Sequence, residues 1–320
     1  MDIEKLIRDN KPHYGKHLKQ FRYFQGDNPT IWEDMPKADP DNRIPIPIAR
    51  RAVLLTKGYM AKPGNITYSE TIPFYDENDE QLETANALEK ALTYGVVYEL
   101  HWTENNMPMF EILPIDQCIP IFTKSLKPKL QAFIWHRTSD KERATYYDEF
   151  RIIEFVKEKT TWIRGSDIPH GYGQVPINIG YIDSDKRNMF DHCTYLIDTL
   201  DSIISQDYAN ELQRFANAYL LLRDTIDWVT EDENGRTQLD KIKEYKVFDN
   251  LKENVQNSVA FLERNINGAF IAESAERIER LIYEMLMIFN PNEKDFAGTS
   301  GISQAYKLLG FEYFCSNIES

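Results

Sequence analysis

Cysteine is scarce in this sequence. It has three, Cys118, Cys193 and Cys315, far apart and odd in number. That excludes a disulfide-built scaffold, and no C-x-x-C pair offers a zinc or redox spacing. A reducing compartment fits, with Cys118 and Cys315 expected as small buried apolar groups. Positive charge is also short: Lys and Arg total 37 against 51 Asp and Glu, a net charge of −14. Proteins that grip nucleic acid through its phosphates carry a basic surplus, so tight sequence-specific DNA binding is excluded. An acidic wall past which DNA slides without adhering is not excluded. No apolar run approaches the roughly 20 residues that span a bilayer, and the N-terminal MDIEKLIRDNK lacks a signal-peptide core. The expectation is a soluble protein, cytoplasmic by default, with no membrane partner.

Glycine-rich phosphate loops are missing too. The one candidate, HGYGQVP (His170–Pro176), has the wrong spacing and reads as an ordinary loop leading into a strand. Walker A, GxGxxG, HExxH, GxSxG and EF-hand strings are absent, so neither an enzyme nor a cofactor is indicated.

What is present is a large core. Hydrophobic residues make up 42%, with 18 Tyr and 17 Phe, the balance of a folded globular protein. Residues 1–24 read as a short charged helix and then a loop. Pro29, Pro36, Pro40, Pro45 and Pro47 forbid a long helix in residues 25–47. Residues 48–60 and 79–95 read as helices, the second with Leu82, Ala85, Leu88 and Leu92 on one face and Gly95 as its stop. Short β-branched and aromatic runs fill residues 96–164 as an antiparallel meander, with a hairpin turning near Lys157-Glu158. The fold class is α+β.

From Phe190 to about Ala218, apolar residues including Ile197, Leu200 and Ile204 recur at helical spacing, which predicts a long helix. Its polar side carries Asp191, Asp198, Asp201, Asp207 and Glu211 against Arg214. YLLLR and YKVF then read as strands around the acidic loop TEDENG. A second long helix is predicted over Ala269–Phe289, its stripe Ile271, Ala275, Ile278, Ile282, Met285 and Phe289, with Glu273/Arg277 and Glu276/Arg280 as i,i+4 pairs. The loop NPNEKDFAGTSG and a helix capped by Thr299 or Ser300 follow. Asp191, His192 and Cys193 are consecutive, so on a helix they diverge by about 100° each and cannot hold one ion. Asp198 and Asp201, at i,i+3, share a face. They fit a solvated face, a carboxylate pair for metal or acid–base work, or a channel wall.

Several segments resemble the portal proteins of long-tailed phages of Gram-positive hosts. They are YGKHLKQFR (Tyr14–Arg22), DNRIPIPIARRAVLLTKGYMAKPGNITYS (Asp41–Ser69), ALEKALTYGVVYELHW (Ala87–Trp102), YGQVPI (Tyr172–Ile177), DTLDSIISQDYANELQRFANAYLLLR (Asp198–Arg223) and FAGTSGISQAYKLLGFE (Phe296–Glu312). They run in the family's order along nearly the whole chain. Ala61 stands where the family usually has Gly before Lys-Pro, and the C-terminal crown is expected to be missing after Ser320.

The resemblance implies a phage portal fold: an α/β wing over residues 1–189, stem helices over 190–218 and 269–289, a mixed clip over 219–268, a tunnel loop over 290–300, and the start of the next wing helix over 301–320. It implies no catalytic residue and no cofactor. It places Glu293, Lys294, Asp295, Phe296, Gly298, Thr299 and Ser300 in the tunnel loop and Asp198, Asp201 and Glu211 on the channel side of the stem. Implied partners are further copies in a ring, usually of twelve, the terminase large subunit, a head-completion or connector protein, scaffold and major capsid protein, and double-stranded DNA passing non-specifically. The location implied is a capsid vertex of the virion, after assembly in the host cytoplasm. Two rivals stay open: a metal-dependent nuclease or hydrolase built on Asp198 and Asp201, and a truncated portal-like adaptor or decoy.

Overall fold

The strand-forming runs after residue 96 are divided between two sheets. The computed structural model describes residues 2–9, 11–35, 37, 41–62, 73–138, 141–216, 219–222, 233, 235, 259–262, 268–290 and 301–319. In the smaller sheet β1 (Val97–Glu104) lies between β2 (Met107–Ile112) and β8 (Ile177–Gly180), antiparallel to both, with Glu99 opposite Ile112 and Val97 opposite Gly180. Asn105 and Asn106 both take positive φ, 51° and 63°, which closes β1 and β2 in a two-residue hairpin whose twist suits the strands. The larger sheet is a meander in chain order: β3 (Cys118–Phe122), β4 (Leu130–Arg137), β5 (Arg143–Tyr147), β6 (Arg151–Glu158) and β7 (Thr161–Pro169). Its last hairpin turns at residues 159–160, with Lys159 at φ 57°, two residues beyond the predicted turn.

Strand alternation makes the meander two-faced. Cys118, Phe133 and Tyr147 point into a core shared with Tyr98, Leu100 and Ile177 of the smaller sheet. Ile119, Ile134, Ala144, Ile153 and Phe155 point the other way, under Ile3 of α1 (Ile3–Asp9).

The N-terminal region is more helical than its charge suggests. α1 is followed by α2 (Lys11–Gln25), where a helix and then a loop were expected. Pro12 is tolerated because it falls in the first turn, and Tyr23 and Phe24 are buried at the far end, so packing overrides weak local propensity. The short α3 (Pro29–Glu33) starts with Pro29 at its first position and Asn28 as cap, accepting from Thr30 N at 3.0 Å. α4 (Ile48–Met60) matches the predicted span, and α5 (Pro73–Glu77) precedes α6 (Glu80–Tyr94). Ala85 and Leu92 of the predicted α6 stripe are buried; Leu82, in the first turn, is 58% exposed.

A third core joins α2, α4 and the end of α6 to the long helices. After a 3-10 turn (Asp191–Cys193), α7 (Thr194–Ala216) buries Ile197 and Leu200, and Phe190 is fully enclosed beside them. β9 (Tyr219–Leu222) pairs antiparallel with β10 (Val259–Leu262), then α8 (Gly268–Met285) packs against α7. The partner of YLLL is VAFL; YKVF, the other predicted strand, lies outside the described residues.

α8 also stops sooner than expected. Met287 turns left-handed at φ 55° and Ile288 N donates to Tyr283 O, the six-residue closure that ends a helix. Leu286 and Ile288 therefore take the core positions beside Ile282, and Met285 is left 48% exposed. On the outer face the ion pair is Arg280–Glu284 at 3.7 Å, one turn beyond the predicted pairs. α9 (Gly301–Glu319) seals this core with Phe311 and Cys315. All three cysteines are buried thiols, as expected for Cys118 and Cys315.

Gly95 ends α6 at φ 77°, and a Cβ there would sit 2.6 Å from the carbonyl carbon of Arg187. Gly15, inside α2, has open space around it. Gly95→Ala should therefore lose more than about 1 kcal/mol, whereas Gly15→Ala should gain about 0.5–1 kcal/mol. Chemical denaturation checks both; equal effects would contradict the register of α6 on the 186–190 segment.

Candidate functional site: a carboxylate clamp at the root of the long helix

Asp198, Asp201 and Ser205 lie at i, i+3 and i+7 on α7, one stripe of a helix. Against that stripe runs the extended segment 41–47, the proline-rich stretch before α4. Ile46 N donates to Asp201 Oδ1 at 3.0 Å, and Ile44 N donates to Ser205 Oγ at 2.9 Å. The spacings agree: four helical residues rise about 6 Å and two extended residues advance about 6.6 Å. The sequence Ile44-Pro45-Ile46-Pro47 supplies N–H donors only on alternate residues, so both go to the helix and the intervening prolines leave none to satisfy.

The cap of α3 completes the clamp. Asn28 spends its oxygen on Thr30 N and its Nδ2 on Asp201 Oδ2 at 2.8 Å. The Tyr23 hydroxyl donates to Asp198 at 2.7 Å, and Thr30 Oγ1 donates to the other Asp198 oxygen at 3.1 Å. Beside it Arg43 lies over the Trp32 ring at 4.5 Å and pairs with Asp41 at 2.8 Å, which holds that carboxyl well below the usual carboxylate range. A cleft of 510 Å³ opens next to Asp198, lined by Lys19, Tyr23, Tyr195 and Ser202 among others.

The two acids differ in burial. Asp201 is fully buried, and burial pushes its carboxyl up to about 6, against the two hydrogen bonds that favour the charged form and with Asp198 adding repulsion. Both Asp201 oxygens are taken by N–H donors. Chemically the arrangement can fasten one element to another. Among the described residues no group of three or more His, Cys, Asp or Glu is placed to hold a metal ion.

The fold to which this clamp belongs matches one family along almost its entire length. The profile of phage portal protein, SPP1 Gp6-like, covers residues 3–319. The chain belongs to this portal family. No curated protein matches it. It is a phage portal protein that acts in DNA packaging. Portal proteins are structural components of the capsid vertex, form ring oligomers and engage capsid and terminase partners. Among the described residues no helix is long and apolar enough to cross a membrane.

In this portal chain the expected site residues separate. The Asp201 carboxylate is enclosed and donor-bound within its own subunit. Asp198 is half-buried, with both oxygens accepting bonds from α2 and α3, so it too is turned toward the N-terminal elements. Glu211 belongs to α7, but its side chain lies outside the described residues, as do Glu293, Lys294, Asp295, Phe296, Gly298, Thr299 and Ser300. The clamp itself is what sequence reasoning missed. Its one signal was the alternating Ile-Pro-Ile-Pro, read only as a helix breaker.

Asp201 gives a pH test. Its carboxyl has a higher pKa folded than unfolded, so the stability it contributes is full below about pH 4 and lost as pH rises through about 6, on the order of 2–3 kcal/mol. The wild-type-minus-Asp201→Asn stability difference should fall by about 2–3 kcal/mol from pH 4 to pH 7, because only wild type carries the titrating carboxyl. Asp201→Ala strands Asn28 Nδ2 and Ile46 N–H and should cost about 1–3 kcal/mol for each buried donor. Denaturation at several pH values checks this; an unchanged difference curve for Asp201→Asn contradicts the clamp.

Proposed function

We propose that copies of this chain close head to tail into a ring, a dodecamer, through which a terminase motor drives DNA. In this reading residues 1–189 form the outward wing, which meets scaffold and major capsid protein. The helices over 190–218 and 269–289 form the stem. Residues 219–268 form the clip, the docking ground for the motor and later the head-completion protein. Residues 290–300, with Lys294 at their centre, touch DNA in the channel.

The supporting observation is the path of the chain through α7, β9, β10 and α8. The antiparallel pair Tyr219–Leu222 and Val259–Leu262 begins just after α7 and ends just before α8, and the two helices pack together. The paired strands thus sit at the end of a two-helix arm. A charge of −14 per chain, multiplied around a ring, keeps phosphates from adhering, with Glu211 as the stem acid left for the channel side. ATP hydrolysis resides in the terminase, which accounts for a portal without a phosphate loop.

Negative-stain images and light scattering of the purified chain should show rings with a central hole. Monomer alone at every concentration and salt tested would contradict ring closure. Deleting Lys294–Ala297 should leave rings intact but block DNA packaging or retention in a phage complementation assay; normal packaging would remove the loop from the channel.

A further inference from the structure

The region before α7 carries two stretches of opposite charge. Between Asp116 and Asp140 the sequence has no acidic residue, and between Lys62 and Lys90 it has no basic one. The first stretch holds the β3–β4 connection, where Lys124, Lys127 and Lys129 are exposed and Leu126 stands fully in solvent at 104%. This tip is braced from within: Thr123 N donates to Lys129 O at 2.9 Å, Lys129 N donates to Thr123 Oγ1 at 2.9 Å, and Ser125 Oγ donates to Lys127 O at 2.7 Å. The second stretch holds the α5–α6 corner, where Asp76, Glu77, Asp79 and Leu82 are exposed. Among the described residues none of these lysines or acids takes part in an ion pair.

We infer that the β3–β4 tip of one subunit docks on the α5–α6 corner of a second copy of this chain. The inference rests on the ring reading and names the surfaces that set its register. A head-to-tail ring needs two different, complementary surfaces on every subunit. Here one is basic with a protruding leucine and the other is acidic with an exposed leucine. Their charges pair across the contact, where they fix orientation and reject like-charged alternatives. Leu126 and Leu82 supply apolar area at its centre. The internal hydrogen bonds of the tip mean that little loop entropy is lost on docking. A contact of this kind is weakened by salt, since the screening length falls from about 10 Å at 0.1 M to about 3 Å at 1 M.

Two variants and their mixture test the pairing. One carries Lys124→Glu, Lys127→Glu and Lys129→Glu; the other carries Asp76→Lys, Glu77→Lys and, at the exposed Gln81 next to Leu82 in the same corner, Gln81→Lys. Circular dichroism establishes that each is folded, and light scattering with negative-stain imaging reads assembly. Each variant alone should need roughly tenfold more protein than wild type to form rings, or form none. Mixed in equal amounts they should recover rings, because subunits can alternate with opposite charges matched at every contact. Rings formed by both single variants at the wild-type concentration overturn the docking while leaving the ring reading standing. Loss in both without recovery on mixing overturns the pairing as well. If the lysine variant forms rings normally but loses binding to duplex DNA, the tip is a nucleic-acid contact and the inference fails. Wild-type protein that never forms rings brings down the ring reading and this docking with it.

Discussion

A buried carboxylate fixes the long helix to the rest of the chain. Asp201 sits with no exposure to water and is held by Asn28 Nδ2 and Ile46 N–H. Removing a carboxylate from water is costly, and only the donors aimed at it offset the cost. Any shift of α7 relative to α3 or to the 41–47 segment would break those bonds and leave the charge buried alone. The clamp therefore fixes direction more than it adds stability. It sets where the first half of α7 begins, and through the packing of α7 on α8 it sets the direction of both helices.

The apolar core works with the clamp. Phe190, Ile197 and Leu200 lock the root of α7 against α2 and α4, and Ile282 and Leu286 bring α8 onto the same core. The two sheets have their own cores, one between the sheets and one under α1. Both helices are rooted in one core, with a hydrogen-bonded pin beside it.

Much of this was legible in the sequence because it follows from local rules. α4 and the meander were readable from periodicity, and Gly95 marked a helix end because only a left-handed residue fits there. The end of α8 was not, since a left-handed Met287 has no signature in its side chain and the closing bond to Tyr283 is a product of packing. α2 was missed because what holds it is the burial of Tyr23 and Phe24 against distant residues. The acids of α7 show the sharper limit. Their i,i+3 spacing put Asp198 and Asp201 on one face, but spacing cannot say whether that face meets solvent or another segment. The answer lay about 155 residues away in Ile44-Pro45-Ile46-Pro47, where the pattern of missing N–H donors makes sense only with a helix beside it. The family was legible from ordered short segments, since those preserve the turns and helix ends that the shared fold requires.

The central claim is that the helix pair rooted in this clamp faces the axis of a ring. A three-dimensional electron-microscopy reconstruction of the assembled protein tests it most directly. The account predicts α7 and α8 innermost, with the five-stranded meander at larger radius and Asp201 enclosed within each subunit. A ring whose channel is lined by the meander, or in which α7 and α8 lie on the outer rim, would contradict it.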